Sequence, residues 1–246
     1  MEIDFFSYQG DRESMQVCSF IASRSKIFFG GVFDGHGESG MEIAELAMGS
    51  IRSDLEFFTG QCGLTAKHVL EIVCDLASRQ IFSHFSGTTA LCFILREDGK
   101  LAVANTGDSR LVIVSGGAAW QVTDDHNTVN ENEAKRVIKS GGVIFGNYIW
   151  NGDRGLMCIR SFGDRHFNES GVISTPEIFE PEVKSGDFII AGTDGLWNEI
   201  NNAEAAEIVS GKSTAKEAKE ALANAICEIG EDNCDMDNIT FIVLKI

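Results

Sequence analysis

The chain has 246 residues, 43% of them hydrophobic, and a formal net charge of −17. That is enough apolar material for a substantial core, and the charge excludes the clustered Lys and Arg by which proteins grip nucleic-acid phosphates. No apolar run approaches the roughly 20 residues of a membrane-spanning helix, and the acidic start Met1-Glu2-Ile3-Asp4 is unlike a secretory signal. With prolines only at 176 and 181, and no Gly/Ser tract or internal repeat, the sequence reads as one domain over residues 1–246. Seven cysteines without a C-x-x-C pair suit a reducing compartment. The expectation is a soluble monomer, cytoplasmic or nuclear, without nucleic-acid or membrane partners.

Strand-like runs come early, at Val17–Ala22 and Lys26–Phe33. Two amphipathic helices follow, near Glu38–Phe58 and Thr65–His84, with apolar residues spaced by three and four. Next come strands at Thr88–Arg96, Lys100–Asn105 and Arg110–Ser115, broken by Asp98-Gly99 and Gly107-Asp108, pairs that tolerate the positive φ of a tight turn. A helix over Glu131–Ser140 stops at Gly141-Gly142, and strands are predicted around Val143–Trp150, Gly155–Arg160 and Phe188–Thr193. Asn201 with Glu204, and Thr214 with Glu217, have capping-box spacing and start two late helices, the second ending near Gly230. Asn238–Ile246 closes the chain as an apolar strand. Strands and helices are segregated rather than alternating, which predicts an α+β fold with antiparallel sheets inside and helices outside.

Four acids stand at the ends of apolar strands. Asp34 follows Val32-Phe33 and precedes Gly35-His36-Gly37; Asp194 follows Ile189-Ile190-Ala191-Gly192-Thr193; Asp237 precedes Ile239–Val243; Asp108 lies between two strands in Gly107-Asp108-Ser109-Arg110. Each segment alone also reads as an Asp-Gly turn or an Asx cap on a strand. Together they point to a shared metal site with oxygen ligands, suited to Mg²⁺ or Mn²⁺; no Cys/His spacing suggests zinc. His126, after Asp124-Asp125, reads as a solvated loop residue. His68 and His84, on the second helix, read as surface or packing residues.

These residues, in order with Tyr8–Arg12, Ser86-Gly87-Thr88-Thr89-Ala90, Ser161-Phe162-Gly163-Asp164 and Asp237-Asn238-Ile239-Thr240, resemble the metal-dependent protein phosphatases of type 2C. The resemblance implies an αββα sandwich, two central antiparallel sheets flanked by helices with a metal cleft at one edge. It also implies a serine/threonine phosphatase acting on phosphoproteins through a water activated by two Mn²⁺ or Mg²⁺ ions. Asp34 would bridge the metals, with the Gly35 carbonyl on the second. Asp194 and Asp237 would complete the first site, and Asp108 would join Asp194 in a third. Arg12 would hold the substrate phosphate, and His36 would protonate the leaving oxygen.

The sequence departs from the family at three positions. Met15-Gln16-Val17 stands where the family usually has Met-Glu-Asp, and Asn198 replaces an acid of the third site. Loss of these charges predicts weakened second and third sites. The alternative function is a pseudophosphatase that keeps the fold as a binding scaffold; a hydrolase of small phosphate esters is a third reading.

Overall fold

A computed structural model describes residues 1–59, 63–232 and 235–246, so Cys62 and Cys234 lie outside the described residues. Strands β1 (Glu2–Tyr8), β2 (Val17–Arg24) and β3 (Ile27–His36) precede helices α1 (Gly40–Phe58) and α2 (Ala66–Ile81). Then come β4 (Gly87–Thr88), β5 (Ala90–Arg96), β6 (Leu101–Thr106), β7 (Arg110–Ser115), β8 (Ala118–Gln121) and α3 (Glu131–Lys139). Three short strands, β9 (Val143–Phe145), β10 (Tyr148–Asn151) and β11 (Arg154–Leu156), form a small third sheet of order β11-β10-β9. It is followed by β12 (Phe162–Gly163), a 3₁₀ turn (Arg165–Ser170) and β13 (Glu177–Phe179). The chain closes with β14 (Phe188–Gly192), α4 (Asp194–Glu199), α5 (Asn202–Val209), α6 (Ala215–Asp232) and β15 (Ile239–Lys245).

One sheet has the order β1-β15-β14-β7-β8. The other is built on β3, with β2 on one side and β5-β6-β13 on the other, and β4 carries β12 at its corner. All pairings between these strands are antiparallel. Successive residues of a strand face opposite ways, so the central strands must be apolar throughout to be covered on both faces. In β5, Leu91, Phe93 and Leu95 meet Ile113, Ile189, Ile242 and Leu244 of the other sheet, while Cys92 and Ile94 pack beneath α1 and α2. In β15, Ile239, Phe241 and Val243 face the layer of α4, α5 and α6. The result is the predicted four-layer αββα sandwich.

The elements follow the sequence signals closely. Thr65 caps α2 through His68 N–H, and Asn201 and Glu204 form the full capping box of α5. Val143–Trp150, expected as one strand, is a hairpin instead, because Gly146 takes φ 61 and turns the chain between β9 and β10. Strands β1 and β13 and helix α4 went unpredicted. The first is a half-exposed edge strand whose apolar residues do not alternate cleanly, and the others have only 3 and 6 residues, so none sustains a pattern. Cys18, Cys74, Cys92, Cys158 and Cys227 are free thiols. Among the described residues no helix is long and apolar enough to cross a membrane.

Candidate active site

Four chain segments end at the same edge of the sandwich. β14 runs antiparallel to both β7 and β15, with Gly192 opposite Arg110 and Phe241. This register puts the β6–β7 turn carrying Asp108, the start of α4 at Asp194, and Asp237 side by side. The second sheet brings the end of β3, with Asp34, to the same edge. There Thr89 holds it: the Asp34 N–H donates to Thr89 Oγ1 at 3.1 Å, Thr89 N–H donates to Asp34 O at 2.8 Å, and Thr89 Oγ1 meets Ser109 Oγ at 2.9 Å. All four aspartates line one cleft of about 440 Å³, with Arg12, Gln16, Gly35 and His36. Gly35 is required there, since a Cβ on it would lie 2.1 Å from the Gly40 carbonyl oxygen at the start of α1.

The aspartates crowd one another in a half-buried recess. Burial, then the neighbouring Asp194 carboxylate, pushes Asp108 up to about 8. Asp34 is raised well above the usual carboxylate range by burial and then by Asp194, with which it shares a hydrogen bond; Asp194 is raised too, chiefly by burial. Carboxyls held this way give up their protons more readily once a positive charge joins them. The donors are all hard oxygens, so the residues present fit a divalent cation such as Mg²⁺ or Mn²⁺. Among the described residues no three acidic, imidazole or thiol groups already stand in coordinating geometry.

One reason is Arg12. Its Nε and Nη2 donate to the two carboxylate oxygens of Asp237, each at 3.0 Å, a fork-to-fork ion pair across a sequence separation of 225. The surrounding loop is stitched to the start of β15. Asp11 N–H donates to Met236 O, Asn238 Nδ2 to Gln9 O, and Gln16 N–H to Asn238 Oδ1.

His36 Nε2 lies 2.6 Å from Asp164 Oδ2, a contact the sequence reading missed. Burial alone would lower the imidazole's affinity for a proton; the Asp164 carboxylate outweighs it and the net direction is upward. Asp164 had been quoted only as part of a motif. Its one local signal was an acid directly after a glycine at a strand end.

The departures from the family pattern are also located. Gln16 lines the cleft and its Nε2 donates to Gly37 O at 3.1 Å. Val17 is buried, 2% exposed, and stands directly opposite Asp34 in the β2–β3 ladder. Asn198 is exposed beside a smaller recess that Asp108 and Asp194 share with it. His126 corrects the expectation of a solvated loop: it is wholly buried, accepts the Gly107 N–H on Nδ1 at 3.1 Å and pairs with Glu177 through Nε2. The hydrogen-bonded turn around Gly107 and Asp108 draws it in. His68 and His84 are exposed, as expected.

The family model for protein phosphatase 2C matches residues 1–239. The chain belongs to the protein phosphatase 2C family. A relative from Arabidopsis thaliana, "Probable protein phosphatase 2C 11", is 33% identical over 89% of this chain and 58% of its own length. "Probable protein phosphatase 2C 7" from Oryza sativa subsp. japonica is 30% identical over 100% of this chain and 66% of its own length. This chain thus spans one half to two thirds of the curated relatives it resembles. Among solved structures, serine-threonine phosphatase 2C from Toxoplasma gondii superimposes with a TM-score of 0.80 at 21% identity, covering 98% of this chain and 93% of that one. The S. agalactiae serine/threonine phosphatase gives 0.76 at 21% identity, covering 100% and 99%. These structures share the protein phosphatase 2C fold described above.

Proposed function

We propose that this chain is a metal-dependent phosphatase that hydrolyses phosphoserine and phosphothreonine in protein substrates, with weakened second and third metal sites. The observation that carries the reading is the convergence of Asp34, Asp108, Asp194 and Asp237 with Arg12 and His36 in one cleft. Carboxylates held near each other in a cleft, three of them half-buried and raised in pKa at a cost to folding, have a use if a cation is to be held there. Asp34, the Gly35 carbonyl, Asp194 and Asp237 would hold Mn²⁺ or Mg²⁺, with Gln16 offering a neutral amide oxygen to the second ion, and Asp108 with Asn198 a third, weaker place. When bound, such ions act as Lewis acids toward phosphoryl oxygens and make water acidic enough to attack near neutral pH.

The remaining chemistry belongs to the side chains. Arg12, at present satisfied by Asp237, presents a planar fork that matches two phosphate oxygens, so an arriving phosphate competes for it directly. That orients the ester and offsets charge as it builds on phosphorus. His36, at the mouth of the same cleft, gives a proton to the departing seryl or threonyl oxygen, which would otherwise leave as a strongly basic alkoxide. No nucleophilic Cys or Ser is required. The thiol nearest the cleft, Cys158, is buried and its pKa is raised, which suits packing rather than attack.

Phosphate release from a phosphothreonine peptide, with Mn²⁺ and Mg²⁺ titrated from trace to millimolar levels, tests the reading. Turnover should rise with metal and fall to background in Asp194→Ala. A folded protein without turnover at any metal level would favour a non-catalytic scaffold, for which Gln16, Val17 and Asn198 argue.

A further inference from the structure

His36 and Asp164 meet across a strand that offers no obstacle. β4 lies between β3 and β12, with His36 opposite Gly87 on one side and Gly163 opposite Gly87 on the other. The two side chains, 128 positions apart in sequence, reach toward each other over the bare α-carbon of Gly87. A Cβ on Gly87 would stand 2.0 Å from Asp164 Oδ2 and 2.5 Å from His36 Nε2, so any other residue would separate them.

The carboxylate is itself fixed. Asp164 is 2% exposed, and Ser161 Oγ donates to the same Oδ2 at 2.5 Å. Its backbone is left-handed, φ 47 and ψ 43, with its N–H directed to Ser86 O at 3.3 Å and its carbonyl accepting from Phe167 N–H. A non-glycine residue in that conformation is uncommon, and an Asp tolerates it better than most. A turn residue with no other duty would satisfy these backbone contacts as Asn or Gly. It would not need a buried carboxylate oxygen aimed at an imidazole in the cleft.

The geometry points to Asp164 as the positioning residue for His36: it takes the Nε2–H, fixes the ring's plane and tautomer, and leaves Nδ1 to serve the leaving oxygen. This deepens the phosphatase reading and rests on it. In the step concerned, a water oxygen forms the new bond to phosphorus, and the bond from phosphorus to the seryl or threonyl oxygen breaks. That oxygen keeps the electron pair and takes the proton from Nδ1, while the Nε2–H remains on the imidazole, hydrogen-bonded to Asp164. The phosphate retains the water's protons, one of which is returned through solvent to His36 Nδ1. A carboxylate that orients a catalytic histidine in this way is worth up to about 10⁴-fold in kcat where it has been replaced at another site.

The decisive variant is Asp164→Gly, which removes the carboxylate while suiting the left-handed backbone. On a phosphothreonine peptide, kcat should fall by at least about 10-fold and by as much as about 10⁴-fold, with KM little changed. On p-nitrophenyl phosphate, whose phenolate leaves without a proton, the loss should be small. Asp164→Asn, which keeps an oxygen able to accept Nε2–H but lacks the charge that holds the proton on His36, should recover only part of the peptide rate. In a His36→Ala background, Asp164→Gly should add nothing further. Equal losses on both esters, or losses that multiply in the double variant, would overturn the assignment.

The contact is read independently by ¹⁵N–¹H NMR of the histidine rings. A His36 Nε2–H resonance, assigned by its absence in His36→Ala, should be protected and shifted downfield in the parent protein and lost in Asp164→Gly. If it is absent from the parent protein, the positioning role fails. If wild-type protein turns over neither ester while that resonance is present, the phosphatase reading fails and the His36–Asp164 contact stands.

Discussion

At Asp108 the feature that suits a cation weakens the protein without one. Its carboxyl is raised from an ordinary 3.8 to about 8, so the folded state keeps a proton that the unfolded chain releases above pH 4. More protons bound in the folded state means that stability falls as pH rises from about 4 to 8. Asp108→Asn, measured with a chelator present, should therefore raise the melting temperature at pH 7–8 and leave it unchanged at pH 4. A relief of about 1 kcal/mol would appear as ~2–4 °C in a chain of this size. An unchanged melting temperature at pH 8 would mean that solvent screens the cluster. Residue-scale chemistry of this kind was legible early, because Asp34, Asp108, Asp194 and Asp237 each sit at the end of an apolar run.

Among the elements, α3 depends on a single acid for its seat. Glu133 is 6% exposed and receives Arg160 through Nε at 2.9 Å and Nη2 at 2.6 Å, and Arg136 through Nη2 at 2.8 Å. Both arginines also donate to carbonyls, at Thr175 and Ile159, so the cluster ties α3 to the segment leading into β12 and to the one before β13. Burial alone would raise Glu133, but the two guanidinium groups hold it down at about 2. Because the folded value is depressed below 4.5, the stabilisation is present above that pH and is lost as pH falls from about 4.5 to 2. Glu133→Gln leaves two half-buried cations short of charge and should cost about 2 kcal/mol at pH 7 by denaturant unfolding. It should also flatten the acid limb of the stability profile. A variant as stable as the parent would show that the arginines find equivalent partners. The Glu133–Arg136 pair lies within α3, but no sequence pattern announced the hub, since Arg160 joins it from a segment 27 positions away.

For the whole molecule, the acidic edge links cation binding to folding. A ligand bound only by the folded state, at 100 times its dissociation constant, adds about 2.7 kcal/mol. Mn²⁺ should raise the melting temperature by roughly 5–10 °C at pH 8, and a chelator should reverse it. The rise should be smaller at pH 5, where Asp108 holds a proton that the ion must displace and where the raised Asp34 and Asp194 take up protons more readily than ordinary carboxylates. Calorimetry that finds neither heat nor thermal shift would remove the cleft as a cation site. The formal charge of −17 sets the background: much of the surface is acidic, so specificity for a cation rests on the converged recess and not on net charge.

Local order made part of this protein readable from the chain alone. Period and caps marked α1, α2, α5 and α6, because a helix repeats its signal every turn and states its own beginning. Apolar runs closed by Asp-Gly marked the strands and the four acids, since both depend on neighbours in sequence. Pairings between distant segments were decided only in three dimensions. Arg12 meets Asp237 across 225 positions, and His36 meets Asp164 across 128. β1 becomes a strand by pairing with β15 at the opposite end of the chain. Such contacts depend on sheet register and on where a glycine leaves space, as at Gly87. A residue's own neighbours carry no trace of either, so the set of acids was visible in the sequence, while the partners that orient and restrain the site were visible only in the fold.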